Sequence, residues 1–337
     1  MHFVARFLRW FGFLALTIFA LLLVTFTLTR LSPVDPVLAV VGDHASRSSY
    51  EQARRELGLD RSLPEQFLVY VSRVAQGDLG RSSSTGQPVR SDLARTVPAT
   101  VELATLAILL GAVVGVSLGV ASGLRPGSWI DGIARFISLF GYSVPIFWLG
   151  LLMLLLFYAA LHWAPGPGRL DIAFQYTVAP LTGFVLIDTW LSGQDGAFLD
   201  ALHHLALPVT LLAFHALAGI ARLTRTAILN EVGQEYTVAA RAKGASDWRV
   251  VFSHVLPNVA GTILTVIALA YVSLLEGAVL TETVFAWPGL GRYLTTAMFA
   301  GDVPAILGGT LVIGLCFITI NSITDLLVAR LDPRIKP

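Results

Sequence analysis

Charged side chains are scarce in this sequence. Asp, Glu, Lys and Arg make up 13% of its 337 residues, against roughly 25% in soluble globular domains, which excludes an ordinary cytosolic enzyme. The same scarcity excludes a nucleic-acid binder that needs a basic face, and the net charge of +1 is uninformative in total. One cysteine, Cys316, excludes an internal disulfide, a thiolate metal cluster and a redox pair. Gly-Lys-Ser/Thr is missing, so there is no phosphate-binding loop, and His-Glu-x-x-His is missing too. What the chain has instead is apolar mass: 55% hydrophobic residues and a mean hydropathy of +0.72. A disordered or collagen-like chain is excluded with equal force. The composition is that of an all-α integral membrane protein.

Uncharged runs near 20 residues, the length that crosses about 30 Å of hydrocarbon, occur at residues 10–29, 103–124, 136–161, 205–221, 255–275 and 303–324. They predict six transmembrane helices, the second starting early at Pro98 as a first-turn proline. Residues 172–187 form a seventh apolar run interrupted by Pro180 and Gly183; it is expected to be re-entrant or to lie on the surface. With the N-terminus inside, twelve Lys/Arg fall on the cytoplasmic side and only Arg169 and Arg292 in short outer loops. Arg30 sits at a boundary, and the long loop 31–98 does not vote because long loops translocate regardless of charge. The expected topology is N-in, C-in. The first run resembles a signal peptide, but no small-x-small site follows it, so it is expected to stay as an anchor. The domains expected are 1–30, a cytoplasmic N-terminus with the first span; 31–97, an extracytoplasmic helical subdomain; and 98–337, the core, with a cytoplasmic segment at 230–257.

The loops carry helix punctuation. Ser62 followed by Glu65 is a capping box, and Leu63, Phe67, Val71 and Val74 recur at helical spacing before Gly77. Residues 51–57 read as a short helix stopped by Gly58. In the inner segment, residues 235–243 favour a helix with acid at its start and Arg241 and Lys243 at its end, as the helix dipole prefers. Gly244 stops it, and Ser246 can cap a second helix that opens on Asp247 and runs toward Pro257. Two short helices meeting at a glycine form either a solvated surface pair or a rigid docking element.

These residues carry a family resemblance. Val238-Ala239-Ala240, Gly244 and Leu256-Pro257 resemble the "EAA…G…LP" signature of importer-type ABC permeases, in the version of the dipeptide/oligopeptide/nickel permease family. Glu56-Leu57-Gly58-Leu59-Asp60, Gly77-Asp78-Leu79-Gly80, Pro98-Ala99-Thr100-Val101-Glu102-Leu103-Ala104 and Ser143-Val144-Pro145-Ile146-Phe147-Trp148-Leu149-Gly150 are similar to its amino-terminal half. Glu282-Thr283-Val284-Phe285-Ala286-Trp287-Pro288-Gly289-Leu290-Gly291 and Asp332-Pro333-Arg334 are similar to its carboxy-terminal half. The signature's glutamate position holds Val238. The resemblance implies a non-catalytic permease subunit in a bacterial inner membrane, importing dipeptides or short oligopeptides by alternating access. Nickel or metal chelates and glutathione are the alternatives within the class. It also implies a second permease, a homologous sister chain, two cytoplasmic ATPase subunits that bind ATP and Mg, and an extracytoplasmic substrate-binding protein. This chain itself would hold no cofactor. The coupling residues implied are Tyr236, Ala239, Ala240, Arg241, Ala242, Lys243, Gly244, Leu256 and Pro257.

Other motifs are weaker. Gly289-Leu290-Gly291 lacks a third glycine. Leu191-Ser192-Gly193-Gln194 imitates part of an ATPase signature in an outer loop. Adjacent His203 and His204 project about 100° apart on a helix and cannot readily chelate one ion; His215 and Cys316 read as ordinary packing residues. Charged or polar groups at membrane depth are costly and face the bundle interior or water. Glu102, Glu276, Glu282 and Asn321 are therefore candidates for the pathway or its outer mouth, with Asp325 four residues beyond Asn321. A secondary transporter or channel is the rival from another class, but no inverted repeat is evident.

Overall fold

The computed structural model describes residues 2–31, 35–42 and 45–331; Asp332-Pro333-Arg334 lies outside them. The described residues are helical apart from turns, loops and one isolated antiparallel bridge between Arg81 and Pro88. The first helices are α1 (His2–Leu31), α2 (Pro36–Val41), α3 (Arg47–Glu56), α4 (Leu63–Ala75) and α5 (Val89–Leu124). There follow α6 (Trp129–Ser143), α7 (Ile146–Met153), α8 (Ile172–Gln175), α9 (Val185–Ser192) and α10 (Ala197–Val232). The last are α11 (Glu235–Ala242), α12 (Asp247–Val250), α13 (Leu256–Gly277), α14 (Val279–Val284), α15 (Leu290–Phe299) and α16 (Val303–Leu331). Wider π-helical turns extend α7 over Leu154–Ala160 and join α12 to α13 over Val251–Val255.

Among the described residues four helical stretches are long and apolar enough to cross a membrane: α5, α10, Asp247–Gly277 and Val303–Arg330. The bent pair that begins with α6 adds a fifth if it is one span, and α1 carries a shorter apolar stretch, Ala15–Leu28. Two expectations need correction. The helix expected to begin at Pro98 begins at Val89, and Pro98 lies inside it. Pro88 and Asp92 mark the real start, and α5 forgoes the rung that the missing Pro98 N–H would supply. The run 136–161 is not one straight helix; its two halves meet at 101°. Pro145 disfavours helical dihedrals in the residue before it, and Val144 is extended, at φ −90° and ψ 125°. Residues 172–187 form no span: α8 is four residues long and the chain stays irregular until α9.

The chain divides into two compact units, residues 1–97 with 292–318 and residues 98–291 with 319–337. Residues 292–318, part of the expected core 98–337, group here with the first unit. In the first unit, Asp35 caps α2 by accepting from Val37 N–H at 2.8 Å, and Tyr50 donates to its other oxygen at 2.7 Å. That second bond is the main reason the Asp35 carboxyl lies below its usual pKa. The capping box of α4 is present, with Ser62 N–H donating to Glu65 at 3.2 Å. Gly58 and Gly77 turn the chain at positive φ, +68° and +76°. Phe67 and Tyr70 of α4 pack on Phe26 of α1, with ring centroids 5.4 and 5.9 Å apart. Ahead of α16, buried Asp302 accepts from Ser82 Oγ at 2.5 Å, Ser84 N–H at 3.0 Å and Ala305 N–H at 3.2 Å.

The second unit is organised by α10, which packs against α6, α7, α9, α13 and α14. It meets α5 along a ridge of four glycines one turn apart, Gly111, Gly115, Gly119 and Gly123. A Cβ on each would come within 2.9, 3.1, 2.7 and 2.8 Å of α10 atoms, respectively. Small residues at this spacing let helix backbones approach closely where lipid supplies no hydrophobic drive between helices. Gly141 of α6 repeats the device against Ala218, at 2.6 Å.

Candidate coupling hairpin and the buried charges of the core

The hairpin is assembled from local signals. Gln234 precedes α11, Glu235 stands in its first turn and Arg241 in its last. Gly244 leaves the helix at φ +85°, the left-handed region that favours glycine. Ser246 then caps α12, its hydroxyl accepting from Arg249 N–H at 3.4 Å. Arg241 Nε bridges the bend to Asp247 at 3.1 Å. The second helix does not stop at Pro257. It passes through the π turn into α13 with no break, and Pro257, whose missing N–H removes one rung of that helix, stands directly after the wider turn.

Both ends of the hairpin are tied to long helices. On the α10 side, Thr237 is fully buried and its hydroxyl donates to the Val232 carbonyl at 2.7 Å, while Tyr236 donates to Glu231 at 2.5 Å. On the α13 side, Asn258 Nδ2 donates to the Tyr236 hydroxyl at 2.9 Å. Val250 and Val255 are buried with Ile228 and Val259 in a small apolar cluster. The other face is bare. Val238 is 57% exposed, Trp248 72% and Phe252 48%, the last two rings tilted against each other with centroids 4.2 Å apart. Ala239, Ala242, Lys243 and Gly244 are exposed with them, and Ala240 and Leu256 half-buried. Trp248, Phe252 and Asn258 were missed by the sequence reading, although an aromatic pair four residues apart behind a capped start was there to be noticed.

The pathway candidates fall into two groups. Glu102 and Glu282 are buried and committed to protein partners. Glu102 Oε2 accepts from Arg169 Nη2 at 2.8 Å and from Val185 N–H at 2.9 Å; Oε1 accepts from Leu186 N–H at 2.9 Å. Its charge thus sits at the N-terminus of α9, where the helix dipole favours it. Arg169 also donates to the Gly183 carbonyl at 2.9 Å, and its guanidinium lies 5.1 Å from the Trp287 ring. Burial lowers the Arg169 pKa, and Glu102 pulls it back up. Trp287 donates through Nε1 to the Ala99 carbonyl at 3.0 Å. The Thr100 hydroxyl donates to Glu282 Oε1 at 2.5 Å and accepts from Leu290 N–H at 2.7 Å. The Glu282 carboxylate fills the space a Cβ on Gly289 would need, and Ala286 turns the chain at φ +50°. The run 282–291 is therefore a folded knot around its own glutamate. Glu276 and Asp325, by contrast, are exposed, and Asn321 is half-buried on α16.

Another buried carboxylate, Asp131, is absent from the sequence-based candidates. Asp131 accepts from Ser122 at 2.6 Å, from Gly127 N–H at 2.9 Å, and from Arg225 Nε and Nη2 at 2.6 and 3.0 Å. It ties the end of α5, the start of α6 and the inner part of α10 together. Its sequence signal was Ser128-x-x-Asp131, a helix-start pattern. The remaining motifs have structural occupations. Gly193 ends α9 at φ +62°, and Gln194 bonds Thr177. His204 is buried and donates to the Asp200 carbonyl, while His203 is exposed.

The comparisons with known proteins agree with this architecture. Residues 92–337 match the family described as binding-protein-dependent transport system inner membrane component, and residues 1–104 match its N-terminal region. The chain is 43% identical to the di/tripeptide transport system permease protein DppB of Pseudomonas aeruginosa, covering 100% of this chain and 99% of that one. It is 42% identical to the probable D,D-dipeptide transport system permease protein DdpB of Escherichia coli, covering 96% and 94%. It is 40% identical to the dipeptide transport system permease protein DppB of the same organism, covering 98% of both. Among solved structures, the inward-facing MetNI methionine ABC transporter shares the fold, with a TM-score of 0.52 at 18% identity over 71% of this chain and 96% of that one. This multi-pass membrane chain belongs to the family of binding-protein-dependent transport system inner membrane components.

Proposed function

We propose that the chain is the permease subunit of an ATP-driven importer of dipeptides or short oligopeptides in a bacterial inner membrane. The observation that carries this reading is the hairpin: a bend fixed at Gly244, strapped to α10 and continuous with α13, with Val238, Trp248 and Phe252 bare on its free face. A rigid bent element bonded to one long helix and continuous with another transmits displacement that a floppy loop would absorb. The bare apolar face, with small Ala239, Ala242 and Gly244 beside it, suits a cleft on a cytoplasmic ATPase subunit. Two such subunits would hold ATP and Mg, so this chain needs no cofactor of its own. The orientation is N-in, C-in, which puts the hairpin on the cytoplasmic side as the basic residues require. A sister permease completes the pathway, and an extracytoplasmic binding protein delivers the substrate.

Short peptides are favoured over other cargo because the relatives with full-length similarity are named for di- and tripeptides. Glu102 and Glu282 hold the fold in this reading. Glu276, exposed at the end of α13, is left as the carboxylate free to meet a peptide's amino end at the outer mouth. Reconstitution tests the proposal. Liposomes holding the complete complex are expected to take up labelled dialanine only with ATP and binding protein, and Glu276→Gln to lower uptake without lowering assembly. ATP-independent accumulation by this chain alone would overturn it.

A further inference from the structure

The first unit contains a cavity of about 510 Å³ that the coupling reading does not use. Its walls include Phe26 of α1, Leu59, Val69 of α4, and Val303 and Leu307 of α16. Around them stand four arginines, Arg30, Arg61, Arg73 and Arg81, against two carboxylates, Glu56 and Asp78. The excess positive charge is not neutralised by the protein. Among the described residues Arg30, Arg61 and Arg73 have no carboxylate at ion-pair distance. Arg81 reaches only the Gly86 carbonyl, at 2.8 Å, and Arg30 lies 5.1 Å from the Phe26 ring.

Two lining side chains add an independent sign of an occupant. Tyr70 Oη and Gln66 Oε1 are buried with no hydrogen-bond partner. Gln66 Nε2 is occupied by the Arg61 carbonyl at 2.8 Å. What lacks partners is thus one hydroxyl donor, one amide acceptor and three guanidinium groups. Buried polar atoms normally find partners, so the cavity suits a molecule with an anionic acceptor, a hydroxyl donor and an apolar body.

Its depth narrows the choice. The apolar stretch of α1 ends at Leu28, and the apolar span of α16 begins at Val303. The cavity takes Phe26 and Arg30 from one end and Val303 and Leu307 from the other, which puts it at the boundary of the hydrocarbon whichever side faces out. Guanidinium groups at that level meet lipid phosphate, which they can bind through two parallel N–H bonds. We propose that the cavity is a binding site for an anionic phospholipid with a hydroxyl-bearing headgroup, of the phosphatidylglycerol type. The phosphate takes the free arginines and the Tyr70 hydroxyl, the headgroup hydroxyl donates to Gln66 Oε1, and the upper acyl chains lie on the apolar wall.

Native mass spectrometry of the full chain in micelles tests this, with dioleoylphosphatidylglycerol and dioleoylphosphatidylcholine supplied equally. Retention of the anionic lipid is expected to exceed that of the zwitterionic one by about tenfold, an electrostatic preference of a few arginines. The double variant Arg61→Gln/Arg73→Gln should bring the ratio below about twofold, and the control Arg47→Gln, at the start of α3 and not among the lining residues, should leave it unchanged. Should the first variant fail to fold, Tyr70→Phe should still cut retention by about threefold through one lost hydrogen bond. Equal retention of the two lipids, or retention indifferent to these variants, would overturn the proposal. So would displacement of the lipid by millimolar glycerol 3-phosphate or dialanine, either of which would make a soluble anion or peptide the ligand.

Discussion

The knot around Glu102 and Glu282 and the hairpin of residues 231–258 use polar side chains in opposite ways. In the knot, two carboxylates, a guanidinium, a threonine and a tryptophan are buried and bonded to one another or to backbone across large sequence distances. In the hairpin, the bonds run over 22 residues or fewer and, apart from those of buried Thr237, are solvent-exposed, while Val238, Trp248 and Phe252 are bare. A buried charge is very costly to strip of its partner, whereas an exposed ion pair contributes little. The knot is therefore built to hold one arrangement. The hairpin gains little stability from its free face, which is the expected property of a surface that docks with something else.

Breaking the knot should have the largest effect. Glu102→Ala leaves Arg169 buried without its carboxylate and is expected to lower stability by about 3–5 kcal/mol, read as thermal unfolding in micelles or loss of assembled complex. Gly119→Leu should rank second: forcing side-chain volume against Ala221 and Thr224 typically costs about 1–3 kcal/mol, and the same assays detect it. Gly244→Val comes third, at about 1–2 kcal/mol for a β-branched residue at positive φ. Unlike the other two, it should cut transport far more than it cuts stability.

Some of this contrast was legible in the sequence. Hairpin elements are specified by neighbours: Glu235 at a helix start, Gly244 at a stop, Ser246 at a cap, each within one turn of what it organises. The same holds for Ser62 and Glu65 on α4. The knot is specified by residues 67 to 190 positions apart, such as Glu102 with Arg169 and Thr100 with Leu290. A single sequence shows Glu102 and Glu282 to be unusual at membrane depth but not that each is already occupied, so both read as pathway groups. The four glycines of α5 were visible at four-residue spacing, yet nothing local says which helix they would meet. The bend at Val144-Pro145 was signalled by proline and hidden by the length of the uncharged run around it.

A smaller effect is expected with pH. Burial pushes the Asp302 carboxyl up, but bonds from Ser82, Ser84 N–H and Ala305 N–H together pull it below its ordinary value. A carboxyl lowered on folding contributes stability that is complete above its unfolded pKa of about 3.9 and is lost as pH falls through the folded value. Unfolding followed from pH 6 downward should show wild-type stability eroding below that point, with Asp302→Asn less sensitive there. The smallest stability change belongs to Trp248→Ala, expected to stay within about 0.5 kcal/mol because the ring is exposed.

Trp248→Ala also offers the most direct test of the hairpin's role, through the number of dipeptides imported per ATP hydrolysed by the reconstituted complex. The ring is expected to matter only when an ATPase subunit covers it. Import per ATP should then fall severalfold, at a cost to binding a partner typical of an aromatic anchor, about 2 kcal/mol or more, while the chain remains folded and inserted. An unchanged ratio, with uptake as tightly coupled as in the wild type, would contradict transmission through this face of the hairpin.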